Sequence, residues 1–359
     1  MSSLLTSITI VFFICITLLF IIGYCRFMYT YLSKNRTEKY FIETSKISVV
    51  IPYRNEINNL PILINSINQL NLLPLEFIWI NDHSEDHSEK ILQSLSGNHT
   101  LLTLELGREG KKKALQKGIY AAKGIYILTL DADIIIHPNF FEQLNKTPIT
   151  DLLLIPIRMK AKNWFSFFYE LDYYFINSIN IASGGFASFI SASGASLLFN
   201  KAQFIEFDQN RTDQHIASGD DYFLLQYFSK RKKKISMSIA HSLIPTTSTP
   251  DNFKSFFNQR LRWIQKTKHE SNSASILIGL IGCIYTLYFF YQFISSPTIE
   301  LLLLKIGLDT LIISPYLIIL KRIKQHIYIP LFSCLYPIYF IAIIFTLNRF
   351  KPTWKNRRY

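Results

Sequence analysis

The chain has 359 residues, 49% of them hydrophobic and 15% aromatic, and a formal net charge of +13. That length exceeds one small domain and leaves room for a soluble core of about 220 residues beside several apolar spans. The positive charge does not argue for nucleic acid. The basic residues cluster beside apolar runs (Arg26, Lys34, Arg36 and Lys39; Lys321, Arg322 and Lys324; Arg349, Lys351, Lys355, Arg357 and Arg358), where the positive-inside rule and anionic headgroups call for them, and no DNA- or RNA-docking motif accompanies them.

The first apolar run, 4–23, is near the length that crosses a bilayer as a helix. No Lys or Arg precedes it, and bulky Ile21, Ile22 and Tyr24 stand where a cleavage site needs small residues. Positive charge follows it instead, so residues 1–25 are expected to form an uncleaved anchor with its N-terminus outside. Cys15, Cys25, Cys283 and Cys334 all lie in or beside apolar runs, which leaves no thiolate site or disulfide framework in the polar region and fits a reducing cytosol.

From Lys46 onward, short apolar runs alternate with helical stretches, the pattern of βαβ units and a mainly parallel sheet. A strand is expected over 47–51, halted by Pro52, then a helix over 57–70. A second strand over 75–80 ends at Asn81-Asp82, and a third covers 101–106. A loop over 107–110 leads to a helix over 111–122, and a fourth strand over 125–130 delivers Asp131 and Asp133 at its carboxyl end. Ligands of open α/β sheets bind at that end. An inner strand is expected over 152–157.

Residues 164–179 are dense in aromatics over too much of the helical circumference for one core stripe. Two readings stand side by side: a helix buried on several sides, or an interfacial helix resting on lipid. The basic run 231–234 reads as a solvated helix end. His241 is placed near the end of a short strand, as a satisfied histidine and not a ligand. Residues 251–268 form an amphipathic helix with Phe253, Phe256, Phe257, Leu261 and Ile264 on its apolar side. Further apolar runs follow at 276–294, 301–320 and 327–347; Lys305 and Asp309 interrupt the second at a spacing that points to mutual pairing. Four crossings from an outside N-terminus would leave the basic tail outside, so one of the last two runs is a candidate for a re-entrant or interfacial segment. The expected organisation is an anchor (1–25), one soluble domain (45–270), a membrane region of two to three spans (273–348) and a basic tail (349–359).

Several short motifs carry chemistry. In Pro52-Tyr53-Arg54-Asn55-Glu56, Arg54 or Glu56 is a candidate for ribose or phosphate, although any strand end looks alike. Asp82 can accept a hydrogen bond from a base N–H, and Asp82 or Ser84 can equally cap a helix. Gly110-Lys111-Lys112-Lys113 puts cations at a helix start, unfavourable unless an anion binds there; Lys112 and Lys113 also read as a solvated helix end. Asp131-Ala132-Asp133 places two carboxylates after an apolar strand, a repulsive pair that Mg²⁺ or Mn²⁺ with a diphosphate would relieve; the alternative is a solvated surface turn. Asp220-Asp221 suits a general base or a helix cap. Gln259, Arg262 and Trp263 share a helix face, where Trp can stack on a sugar and Arg can pair with a diphosphate, or both can snorkel at a membrane.

As an ordered set over about residues 46–268, these motifs resemble the inverting family 2 glycosyltransferases of GT-A fold. The resemblance is to the membrane-anchored branch with ceramide glucosyltransferase-like and polysaccharide synthase-like enzymes. It implies a Rossmann-like, mainly parallel α/β catalytic domain flanked by transmembrane helices. It further implies that Asp82 reads the nucleotide base, Lys111 meets the diphosphate, and Asp131 and Asp133 form the DxD site for metal and nucleotide sugar. Asp221 would be the general base, and Asp220 beside it, where the family usually has Glu, would belong to the acceptor and diphosphate side. Gln259, Arg262 and Trp263 would be the QxxRW element on the acceptor and diphosphate side, 193–196 would resemble the acceptor-site loop, and 354–359 a basic tail of related enzymes.

The expectation is therefore an integral protein of a bacterial inner membrane with a cytoplasmic catalytic domain. It would use Mg²⁺ or Mn²⁺ and a nucleotide-sugar donor, UDP-linked by family habit, to glycosylate a lipid or lipid-linked acceptor. A processive polysaccharide synthase is the alternative, and a catalytically inactive nucleotide-sugar-binding scaffold a further one. A transporter would need polar residues across several spans, and only Lys305 and Asp309 provide any.

Overall fold

The computed structural model describes residues 2–37, 39–211, 213–214, 216, 219–266, 272–347, 353–354 and 357–358. In chain order the elements begin with α1 (Ser2–Thr37), β1 (Ile47–Tyr53), α2 (Leu60–Asn68), β2 (Glu76–Asn81), α3 (Ser88–Gln93), β3 (His99–Thr103), α4 (Lys111–Ala121) and β4 (Tyr126–Leu130). There follow β5 (Ile134–Ile135), α5 (Phe140–Leu144), β6 (Leu152–Leu154), β7 (Arg158–Lys160), α6 (Ser166–Gly184), β8 (Ser196–Asn200), α7 (Lys201–Asn210) and α8 (Asp220–Lys230). The remainder comprises β9 (Ile235–Met237), β10 (Thr246–Ser248), α9 (Phe253–Lys266), α10 (Ser273–Ser295), α11 (Ile299–Ile319), α12 (Ile329–Leu347) and the short pair β11 (Thr353–Trp354) and β12 (Arg357–Arg358).

The described residues form two compact units. The first, built mainly from residues 34–160 and 191–248, holds a seven-stranded sheet in the order β3-β2-β1-β4-β8-β6-β9. Six strands run one way and only β8 runs against its neighbours, so the sheet is mainly parallel as expected. All seven residues of β1 and all six of β2 are buried, as central strands covered on both faces require. Trp79, Phe77, Ile51 and Leu128 lie in the main core cluster with Phe140 and Phe141 of α5.

The expectation that Pro52 halts β1 is corrected. Pro52 pairs with Ile80 inside the strand, and the ladder to β4 has already ended at Val50, so a missing N–H there is tolerated. His241 lies in a 3₁₀ turn, His241–Leu243, not at a strand end. A three-stranded sheet, β5-β10-β7, adjoins the end of β4.

The second unit contains most of α1 with α6, α9, α10, α11 and α12. Helix α6 is buried around nearly its whole circumference, which decides between the two readings in favour of the buried helix. Its Phe168 lies among Phe256 of α9 and Phe332 and Tyr339 of α12, and its Tyr174 meets Tyr316 of α11. Buried Glu170 accepts hydrogen bonds from Arg322 (2.8 and 3.1 Å) and Gln325 (2.6 Å), tying α6 to the turn Ile323–Tyr328.

Among the described residues four helices are long and apolar enough to cross a membrane: Thr9–Lys34, Ser273–Ser295, Ile299–Ile319 and Ile323–Leu347. Lys305 Nζ lies 2.7 Å from Asp309 Oδ2, and the Tyr285 hydroxyl donates to Asp309 Oδ1 at 2.8 Å, so these two charges within α11 are buried and paired.

Candidate active site

Two helix starts build the site. Gly110 (φ +97°) precedes α4 and Gly219 (φ +102°) precedes α8, and this left-handed conformation is open to glycine without strain. Each glycine launches a pair of charged residues, Lys111-Lys112 and Asp220-Asp221. The Lys111 ammonium binds Asp131 Oδ1 just past β4. Burial acts to lower the Lys111 pKa, but Asp131, then Asp221 and Asp133, outweigh it and raise it, so all three carboxylates act on one ammonium.

The turn before β8 reaches the same place because β8 is antiparallel to β4: Ser196 pairs with Leu130, and the Asp131 N–H donates to the Ala195 carbonyl at 3.1 Å. One residue back, the Gly194 N–H donates to Asp221 Oδ2 at 2.9 Å, while Asp221 Oδ1 accepts from the Tyr222 N–H at 2.8 Å. The turn therefore links the end of β4 to the carboxylate at the start of α8. Asp220 faces the other way and accepts from Arg211 at 2.9 Å.

Asp133 is exposed, and Thr247 Oγ1 of β10 lies 3.3 Å from its Oδ2. The protein around it strips part of its solvation. With the Asp131 and Glu56 carboxylates this pushes its pKa up to about 6, against the pull of Lys111. Asp82 is buried at the end of β2, and both its oxygens lie 3.1 Å from the Gly110 N–H, so it holds the turn that starts α4. Arg54 points back into the protein: it donates to the Asp82 and His83 carbonyls (2.8 Å each) and to Glu85 (3.0 Å), joining the loops after β1 and β2. The expectation that Lys112 is solvated is corrected as well, since it is 7% exposed and bonded to Asp213 and Ile216.

Gln259, Arg262 and Trp263 lie on α9, in the helical unit. The arginine this helix buries is Arg260, which sequence reasoning passed over. Its Nε binds Asp172 of α6, another donor reaches the Tyr169 carbonyl at 3.3 Å, and a third meets Gln259 Oε1 at 2.7 Å. The same guanidinium lies 4.2 Å from the Trp263 ring centroid. No signal in the one-dimensional pattern separates Arg260 from Arg262, because the partner that selects it is far away in sequence.

A family model for glycosyl transferase family 2 matches residues 48–151, and one for glycosyl transferase family group 2 matches residues 126–350. The chain belongs to glycosyl transferase family group 2. Among solved structures, this glycosyl transferase is similar to a mannosyltransferase from Pyrobaculum calidifontis, solved in complex with GDP-Man and Mn²⁺. The TM-score is 0.54 at 13% identity, with 92% of this chain and 99% of that one covered. The likeness shows the GT-A fold.

Among curated relatives, the transferase is 31% identical over 134 residues to an undecaprenyl-phosphate 4-deoxy-4-formamido-L-arabinose transferase of Proteus mirabilis, covering 35% of this chain and 41% of that protein. It is 26% identical over 230 residues to a poly-β-1,6-N-acetyl-D-glucosamine synthase of Staphylococcus epidermidis, covering 61% and 54%. The chain thus spans about half or less of the length of these relatives.

GT-A transferases commonly use a divalent cation, and the residues of this one fit such a group. Asp131 and Asp133 offer two carboxylates of the kind hard cations take, and Asp133 sits in an excess of negative charge that a cation would relieve. Among the described residues no set of three or more His, Cys, Asp or Glu gathers to hold a metal, so such an ion would take its remaining ligands from a diphosphate and water.

Proposed function

We propose that this family 2 transferase is a membrane-bound inverting enzyme that moves a sugar from a nucleotide-diphosphate sugar to a lipid or lipid-linked acceptor at the cytosolic membrane face. The observation that carries the reading is Asp221, held by the Gly194 N–H and acting electrostatically on the same Lys111 ammonium that binds Asp131. A base and a diphosphate-side cation thereby meet at the carboxyl edge of one sheet.

In this mechanism Asp221 takes the proton of the acceptor hydroxyl as its oxygen attacks the anomeric carbon from the face opposite the leaving group. The bond to the β-phosphate oxygen breaks, its electron pair leaves with the nucleoside diphosphate, and the configuration inverts without a covalent enzyme intermediate. The Gly194 and Tyr222 N–H donors hold the Asp221 carboxylate in place to receive the proton. Lys111 neutralises part of the charge growing on the diphosphate, and Asp82 sets its place by holding Gly110. A divalent cation bound at Asp131 and Asp133 would supply further charge stabilisation. Gln259, Arg262 and Trp263 are proposed for the acceptor and diphosphate side, and half-buried Asp220, turned away onto Arg211, as the support of its neighbour and not as part of that side.

The four long apolar helices and the undecaprenyl-phosphate relative favour a substrate presented from a bilayer. The synthase relative favours a second reading, processive polymer synthesis. A donor screen on membranes containing the chain separates them. UDP- and GDP-sugars are supplied with Mg²⁺ or Mn²⁺, beside an Asp133→Ala control, and label is counted in lipid extract and in polymer. Label in lipid that disappears in the control supports single transfer, and label in polymer supports the synthase. No metal-dependent transfer or donor hydrolysis by folded protein overturns the transferase reading in favour of an inactive scaffold.

A further inference from the structure

Beside the site lies a compact set of charges that joins Lys112 and Asp220 of the motifs above to Arg211, Asp213 and Asp208, which belong to none of them. Lys112 Nζ directs its three donors at the Asp213 carbonyl (2.8 Å), Asp213 Oδ2 (2.9 Å) and the Ile216 carbonyl (2.7 Å). Arg211, its side chain 2% exposed, forks onto Asp213 through Nε (2.9 Å) and a terminal nitrogen (2.6 Å). The same nitrogen reaches Asp220 Oδ1 at 2.9 Å, and the other lies 3.5 Å from Asp208. Lys112 and Asp220 are themselves 4.0 Å apart. Burial alone would raise the Asp213 pKa; the bonds from Arg211 and Lys112 outweigh it and hold this carboxyl below its ordinary value.

Successive residues on a helix point roughly 100° apart. At both helix starts one residue of the charged pair therefore faces the site and its neighbour faces this cluster: Lys111 and Asp221 outward, Lys112 and Asp220 inward. The cluster joins the first turn of α4 to the first turn of α8, so it sets the separation of the two outward groups. Buried ion pairs are an inefficient source of stability beside apolar packing, whereas forked, fully bonded charges impose geometry.

We propose that Arg211, acting with Lys112 and Asp213, is a positioning residue that fixes Asp221 relative to Lys111, and so sets the distance from base to diphosphate. The proposal rests on the transfer reading above for its kinetic consequence, but not for its structural one. Asp82 holds Gly110 independently, so loss of the cluster moves Asp221 more than it moves Lys111.

The test uses the full chain in detergent, as wild type, Lys112→Met and Arg211→Lys. The second variant keeps the charge and removes the fork. Amide hydrogen exchange at Gly194, whose N–H binds Asp221, reads the positioning without any substrate. It is expected to accelerate about tenfold or more in both variants, while the Val50 amide in the core stays protected. In the donor assay, kcat is expected to fall roughly 10- to 100-fold with donor KM changed less than about threefold. Unchanged exchange at Gly194, or unchanged kcat in variants that merely melt at lower temperature, overturns the proposal. Should the wild type transfer no sugar at all, the proposed function falls and the exchange result alone decides the positioning role.

Discussion

The guanidinium of Arg260 lies 4.2 Å from the ring centroid of Trp263, and its Nε binds Asp172. A buried cation thus sits between the tryptophan proposed for the acceptor side and a carboxylate on α6. Burial raises the pKa of Asp172, and Arg260 only partly offsets it, so the pair is a weak source of stability and a strong source of geometry. Arg260→Met alone is expected to destabilise the helical unit by about 3–5 kcal/mol, because it strands the carboxylate. Arg260→Met with Asp172→Leu is expected to recover most of that loss in a thermal melt, yet not the transfer rate.

Asp221 and Asp220 are adjacent but differently placed, and their asparagine variants should behave differently. Asp221→Asn is expected to lower kcat by roughly 10²- to 10⁴-fold and leave donor binding intact. Asp220→Asn removes a partner of Arg211 and is expected to lower melting temperature together with a smaller loss of rate. Isothermal titration with a non-transferable donor analogue, set beside turnover, separates the two. Full activity in Asp221→Asn would remove the base assignment.

Gly194 offers a gentler probe of the same carboxylate. A Cβ there would lie 3.3 Å from Asp221 Oδ2, close enough to push the side chain by a few tenths of an ångström without a collision with backbone. Gly194→Ala is expected to fold normally and lower kcat about tenfold. Unaltered kcat would mean that Asp221 tolerates displacement.

Metal dependence is expected to follow Asp133. Chelation with EDTA should abolish transfer, and Mn²⁺ or Mg²⁺ should restore it in the wild type but not in Asp133→Asn. Retention of full activity after exhaustive chelation would exclude a cation from the proposed mechanism.

The parts legible in the sequence are those written locally. Wholly apolar runs marked β1, β2 and β4, and the acidic residues after them fell at the carboxyl edge, because a parallel sheet puts every such end on one side. The reversal of β8 was not legible, since a buried five-residue run carries no sign of its direction. Lys112 looked like one more exposed lysine because its partner Asp213 is 101 positions away. Arg260 and Arg262 differ only in helical phase, and the phase is chosen by Asp172 on another helix. Pro52 misled because its penalty depends on which neighbouring ladder is still running at that point.

The aromatic cluster of the helical unit bears on how the chain is assembled during synthesis. Phe13 of α1 packs edge-on against Tyr285 (5.1 Å) and stacks on Phe289 (5.7 Å) of α10. At roughly 5–20 residues per second, the ribosome needs about 15–55 s to make α10 after Phe13 has been added. In the proposed membrane setting α1 persists in lipid through that interval with its partner not yet made, and its outward Val11, Phe12, Leu18, Leu19 and Ile22 suit it to do so. Closure of the cluster is then a late event in biogenesis, a docking of helices already inserted and not a condition of their insertion.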